Sequence, residues 1–194
     1  MYSKDIFLSH IVNLGLETPS FKNEWRFIEG GDGKINGLTV SFPALQSILR
    51  TTSSIPAELK KCFFEVLVIK GFKDEENGYL AIGLTTKDTM DPGADRNTVG
   101  YISIAGNGFV DQDGNDPKRV EGISEGDTIR CNVEIIRICD QTFTACTFFK
   151  SGKVISARRY INAKNMYPTI AVDGEGIEVE TTFGTMKDSL PHGI

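Results

Sequence analysis

Short runs of β-branched and aromatic residues, each closed off by Gly, Pro, Asn, Asp or Ser, recur along this chain from Trp25 to Phe183. Two runs state the pattern most clearly, Cys62-Phe63-Phe64-Glu65-Val66-Leu67-Val68 and Ala145-Cys146-Thr147-Phe148-Phe149-Lys150. Residues of this kind between turn residues build strands rather than helices. Ser151-Gly152 interrupts the second run, and Lys153-Val154-Ile155 resumes it, which predicts a hairpin there. The same reading predicts strands over Trp25–Ile28, Leu38–Phe42, Gln46–Thr51, Phe63–Ile69, Tyr79–Thr85, Val99–Ala105, Gly108–Val110, Thr128–Ile138, Phe143–Phe149, Val154–Tyr160, Tyr167–Val172 and Ile177–Phe183. Many short strands with no convincing helix between them mean an all-β fold, a two-sheet antiparallel β-sandwich of the jelly-roll kind.

A chain of 194 residues fits one domain with an extension. At this size folding hides roughly 70% of the unfolded surface, so a core forms without a metal or a disulfide. The expected division is an N-terminal extension over 1–23, the sandwich over 24–186 and a C-terminal tail over 187–194. Apolar Ile6, Phe7, Leu8, Ile11, Val12, Leu14 and Leu16 suit a short helix or an extended arm, expected to pack on the sandwich. The net charge of -5 argues against a nucleic-acid or anionic-membrane binder, which needs a basic face. No basic-then-apolar leader opens the chain, and no run of about 18 apolar residues offers a membrane span. A reduced intracellular setting, cytoplasmic or nuclear, and a monomer are expected.

The side chains that usually carry chemistry are sparse. Only His10 and His192 exist, one near each end, so a Ser-His or Cys-His pair is not expected. Cys62, Cys131, Cys139 and Cys146 form no C-x-x-C pair, which leaves no zinc pattern and predicts no metal and no cofactor. Cys139 and Cys146 could meet across a hairpin, but strand cysteines are more often buried free thiols. Asp111-Gln112-Asp113-Gly114-Asn115-Asp116 opens like a calcium loop. It then has Asp116 where that loop needs Gly and Gly122 where it needs Glu, so a solvated turn is expected. Glu175, Glu178 and Glu180 suggest sugar chemistry on a lectin-like sandwich, with Glu178 and Glu180 on one strand face. Trp25 is the only tryptophan, which leaves few platforms for a sugar ring. The basic residues Lys150, Lys153, Arg158, Arg159 and Lys164 read as a solvated face opposite the acidic Asp173 to Glu180 region, with a partner-binding patch as the alternative.

Six blocks, in order, resemble the SPRY domain, the core of B30.2 domains. Phe63-Phe64-Glu65-Val66 resembles its opening strand, and Ile82-Gly83-Leu84-Thr85-Thr86 its I-G-L-A-T motif. Val99-Gly100-Tyr101 with Asp113-Gly114-Asn115, and then Glu125-Gly126-Asp127-Thr128-Ile129-Arg130-Cys131, follow at plausible spacing. Thr147-Phe148-Phe149-Lys150-Ser151-Gly152-Lys153 and Tyr167-Pro168-Thr169-Ile170 with Phe183-Gly184 complete the series. Ile55-Pro56 is similar to the approach seen in the Ran-binding-protein-like branch. The resemblance spans about two-thirds of the chain and concerns scaffold positions, so it speaks first to fold.

What the resemblance implies is a non-enzymatic protein-interaction module, an adaptor or scaffold binding an intracellular protein or peptide through loops at one edge of the sandwich. The candidate contacts are Thr52, Ser54, Ile55 and Pro56 in one loop, Asp91, Arg96 and Asn97 in a second, and Val172, Asp173 and Gly174 in a third. The family's peptide-binding SOCS-box branch has V-W-G in that third loop. Here Asp173 stands where that branch has the aromatic, which removes a stacking surface. Arg96 is the preferred anchor, because Arg is enriched among residues that dominate binding energy.

Overall fold

A computed structural model describes residues 24–29, 33–42, 46–71, 79–88, 102–105, 108–112, 118–119, 121–174 and 176–186. The extension 1–23, the tail 187–194, both histidines, Asp91, Arg96, Asn97, Glu175 and most of the Asp111–Asp116 turn lie outside these described residues.

The strands are β1 (Trp25–Glu29), β2 (Lys34–Asn36), β3 (Thr39–Phe42), β4 (Gln46–Thr51), β5 (Lys61–Lys70), β6 (Tyr79–Thr85), β7 (Ile102–Ala105), β8 (Phe109–Gln112), β9 (Lys118–Arg119), β10 (Thr128–Ile138), β11 (Gln141–Lys150), β12 (Lys153–Val154), β13 (Arg159–Ile161), β14 (Tyr167–Asp173) and β15 (Ile177–Thr185). They form a seven-stranded sheet, β1-β4-β14-β6-β7-β8-β9, and an eight-stranded sheet, β12-β11-β10-β5-β15-β3-β2, with β13 paired to β11. Every pairing is antiparallel.

Alternation decides which residues face inward. In β5, Cys62, Phe64, Val66 and Val68 are buried while their neighbours are half-buried, the period of two that a sheet face imposes. Ile129, Cys131 and Val133 of β10 and Cys146 and Phe148 of β11 continue the inner face, and Leu49, Ile82, Leu84 and Ile170 meet it from the smaller sheet. The alternation breaks in β14, where Pro168 through Val172 are all buried. There Ala171 lies in register with Ile48 and Ala81, and these three form a second buried cluster, so this row is covered on both faces.

Turn chemistry behaves as the residues require. Ser151 and Gly152 have φ of 46° and 82°, the paired positive values of a type I′ hairpin turn. Gly126, at φ 84°, places its amide on the Val68 carbonyl at 2.9 Å, and the Ser124 amide donates to Asp127 Oδ2 at 2.6 Å.

Two expectations are corrected, and the expectation of free thiols holds. The strand predicted over Val154–Tyr160 is two short strands, β12 and β13. The buried Ser156 hydroxyl accepts from the Phe148 amide at 2.9 Å, a side-chain bond standing in for ladder pairing. Cys139 and Cys146 do not face each other: Cys139 is exposed at the β10–β11 turn, Cys146 is buried opposite Val133, and all four thiols are free. The basic stretch does not oppose the acidic region, because β10 and β5 separate β11 from β15. Lys150 instead reaches Asp127 at 3.1 Å and donates to the Gly122 carbonyl at 2.7 Å, and Arg158 pairs with Glu134 at 2.6 Å.

One contact ties the two sheets at their edge. Trp25, on the outermost strand of the smaller sheet, donates from Nε1 to Thr181 Oγ1 of the larger sheet at 2.8 Å. The Thr181 hydroxyl in turn donates to the Leu38 carbonyl at 3.1 Å, and the Trp25 ring lies 5.3 Å from that of Phe183. Thr181→Val keeps the shape but strands the buried indole N–H, so the expected cost is about 1–3 kcal/mol. In thermal melts this reads as a drop of roughly 2–4 °C per kcal/mol for a chain of this size.

Burial also keeps the Cys62 and Cys131 thiols neutral. The Cys62 thiol is pushed up to about 12, and burial, reinforced by Cys146, raises Cys131 well above its ordinary value. A folded-state value above the unfolded one, near 8.5 for a free thiol, means stability is whole below that pH and declines as pH climbs toward the folded value. Urea unfolding from pH 8 upward is expected to show this decline, and Cys62→Ala to flatten it relative to wild type.

Candidate functional site

The β4–β5 connection is shaped by its own backbone. The Thr51 hydroxyl donates to the Ser53 carbonyl at 2.9 Å, and the Thr52 amide donates to Glu24 O at 2.8 Å. The Ile55 amide then donates to Met166 O at 2.8 Å, which joins this connection to the segment leading into β14. Thr52 and Pro56 are exposed, Ser54 is half-buried, and Ile55 turns inward at 4% exposure.

The end of β6 is drawn to the same place. Arg50, itself buried, donates to the Lys87 carbonyl at 3.1 Å and to that of Thr86 at 3.4 Å, and its guanidinium lies 4.9 Å over the Tyr167 ring. Burial first, and Arg26 second, push its pKa down. The Thr85 and Thr169 hydroxyls meet at 2.7 Å between β6 and β14. The segment that holds Asp91, Arg96 and Asn97 follows β6, whose side is described as far as Asp88.

Val172, Asp173 and Gly174 are elsewhere. Asp173 pairs in register with Gln46 at the start of β4 and Tyr79 at the start of β6, while Thr52 to Pro56 follow the end of β4. The length of β14 separates the two groups, roughly 20 Å at 3.3 Å per residue. Val172 is buried in the core at 3% exposure and offers no side chain to a partner. Asp173 is half-buried, and Gly174 takes φ 148°, a turn conformation that disfavours any side chain.

A cleft of about 270 Å³ lies at the Thr52–Pro56 end. Ile55, Val133, Ile135 and Met166 supply its apolar lining, with Ala57 at an exposed edge, and Thr142, Thr144, Asn165, Arg137 and Lys164 complete it. The β10–β11 hairpin makes one wall because it outruns its neighbour. β5 pairs with β10 only as far as Glu134, while β10 continues to Ile138 and β11 returns from Gln141. Beyond the last β5 partner, Ile135 and Arg137 keep the inward phase of Val133: Ile135 still packs against the edge of the core, and Arg137 is exposed. The other wall is Lys164 to Met166, where Asn165 adopts φ 57°. The Thr144 hydroxyl donates to Ala163 O at 2.9 Å and holds this segment against the hairpin.

Of the sequence candidates, Ile55 lines the cleft and Thr52, Ser54 and Pro56 adjoin it along the chain. The hairpin residues were not anticipated. A signal existed in the phase of β10: Ile129, Cys131, Val133 and Ile135 are followed at the next inward position by Arg137, and a cation in core phase marks where a strand leaves the core. Glu178 and Glu180 flank the core-facing Val179 on β15, beside Lys70 and Ser41 in one case and Leu67 and Thr39 in the other, and neither lines the cleft. Among the described residues no group of three His, Cys, Asp or Glu side chains is placed to hold a metal ion, and no helix is long and apolar enough to cross a membrane.

Comparison with known proteins places this fold. No protein-family model matches the chain. It is 31% identical over 140 residues to a Ran-binding proteins 9/10 homolog of Drosophila melanogaster, covering 70% of this chain and 13% of that protein. Identity is also 31%, over 139 residues, to Ran-binding protein 9 of Xenopus tropicalis, covering 70% of this chain and 24% of the relative. The chain therefore spans less than a quarter of the length of these relatives. Among solved structures, a human SPRY domain superposes with a TM-score of 0.62 at 15% identity, over 81% of this chain and 96% of that one. The SPRY domain of human HERC1 gives 0.55 at 14% identity, over 79% and 91%. The Emp46p carbohydrate recognition domain also gives 0.55 at 14% identity, over 84% and 89%. Six ordered sequence blocks, the two antiparallel sheets and these likenesses agree: the chain has the fold of SPRY domains and is similar in sequence to a part of Ran-binding proteins 9 and 10.

Proposed function

We propose that this chain is a non-enzymatic protein-interaction module that receives a peptide or surface of another protein at the end of the sandwich carrying the cleft. The observation behind this reading is the cleft itself, where an apolar floor meets a few polar groups at a mouth formed by a loop and an overhanging hairpin. Its lining holds no carboxylate, thiol or imidazole, the side chains that most often serve as general bases. Thr52, Ser54 and Pro56 extend the contact surface along the loop, and Asp91, Arg96 and Asn97 belong to the same reading through the segment that follows β6. Asp173 and Gly174 would serve a separate surface, because the length of β14 lies between. Sugar binding through Glu178 and Glu180 rests on the sandwich fold alone.

Blocking the cleft tests the site. Ala57 is exposed and lines it, so Ala57→Trp fills the space without entering the core. Affinity capture followed by mass spectrometry is expected to lose partners with this variant and keep them with Asp173→Ala, while both melt like wild type. The opposite pattern would move the interface to the far end of β14.

A further inference from the structure

The lining of the cleft specifies more than a site. Its volume of about 270 Å³ falls just below the ~300–1,000 Å³ of pockets that enclose drug-sized molecules, and suits one or two side chains better than a whole small ligand. The floor is apolar, and Arg137 and Lys164 are both exposed at its rim. Among the described residues neither has an acidic partner. Three other cations are paired: Arg130 with Glu65 at 2.8 Å, Arg158 with Glu134 and Lys150 with Asp127. Glu58 and Asp140, which adjoin the lining segments along the chain, are exposed and are not part of the lining. In a chain of net charge -5, an apolar cleft with two uncompensated cations and no lining acid has a local sign opposite to that of the whole molecule. Such a cleft is complementary to an apolar group with negative charge on both sides.

We infer that the cleft docks an internal linear segment of a partner protein in which an apolar side chain is flanked by Asp or Glu, the apolar group entering over Ile55, Ile135 and Met166 and the carboxylates meeting Arg137 and Lys164. This rests on the interaction-module reading and adds the chemistry of the occupant. The two cations stand on different walls, one on the hairpin and one on the segment before β14. Two cations on separate segments suit two side-chain carboxylates better than a single terminal one. Arg also contributes planar, two-pronged hydrogen bonding to a carboxylate, which Lys does not, so Arg137 is expected to carry the larger share.

The test uses a fluorescent peptide, acetylated and amidated, of sequence Glu-Asp-Leu-Asp-Glu, with Lys-Arg-Leu-Arg-Lys and Glu-Asp-Ser-Asp-Glu as comparisons, read by fluorescence anisotropy against the full chain. The acidic leucine peptide is expected to bind, the other two to bind at least about tenfold more weakly, and affinity to fall between about 50 and 200 mM salt as charges are screened. Arg137→Glu and Lys164→Glu, both at exposed positions, are each expected to weaken it by about five- to tenfold with unchanged melting. Equal binding of the basic peptide, indifference to both charge reversals, or binding only when the peptide carries a free C-terminal carboxylate would overturn the inference. Partners lost with Ala57→Trp but kept by both charge-reversal variants would leave the site standing and remove the acidic class. Partners kept by all three variants would remove both.

Discussion

Phe183, Phe64, Cys131 and Phe148 lie in one row across four strands of the larger sheet, fixed by the pairings of β15 with β5, β5 with β10 and β10 with β11. Three of the four side chains are buried almost completely. Because successive residues of a strand point to opposite faces, a slip of one residue in any of these pairings would turn the row into solvent. Register is therefore the constraint from which the rest follows. It sets Cys62 and Cys146 level with Val133, it sets Glu134 as the last residue of β10 with a β5 partner, and it leaves Ile135 to Ile138 overhanging. The cleft is a consequence of where the core ends.

The outer face of the same sheet is organised by smaller interactions that depend on that register. Gly184 lies opposite Phe63, and a Cβ there would meet the ring at 2.4 Å, so glycine is what allows Phe63 to lie flat across β15. Phe63 then takes the Arg130 guanidinium at 4.1 Å from its ring centre, and Arg130 bridges back to Glu65. These groups are partly exposed, so their pairing contributes modestly to stability. Their effect is to occupy cations that would otherwise be open to a partner, which leaves Arg137 and Lys164 as the cations at the cleft.

The two ends of the sandwich differ in kind. At the far end of β14 the chain turns tightly through Gly174 and Gly176, whose amide donates to the Phe42 carbonyl at 3.1 Å, and Val172 is spent on the core. At the near end, loops held by backbone bonds from Thr52 and Ile55 and by Arg50 on two carbonyls stand around an apolar depression. Loops fixed in this way over an apolar floor would bind at a low cost in ordering entropy, which supports the proposal that a partner binds at this end.

The sequence by itself determined the fold class, most strand positions and the turns. Strand periodicity is local, and residues such as Ser151-Gly152 or Gly126 carry their own backbone preference. β6 and β10 occur at the residues expected. The short β2 and β9 were not legible, since two or three residues hold no period, and β12 and β13 were merged because the Ser156 contact that divides them comes from a strand eight residues away. Ile55 was legible as a candidate, but its neighbours in the cleft were not. They lie on β10, β11 and the approach to β14, up to 111 positions further along, and only tertiary pairing brings them together. Tertiary structure alone also decided that Thr52–Pro56 and Asp173–Gly174 stand at opposite ends of β14, because the length of an antiparallel strand is invisible in a list of loops.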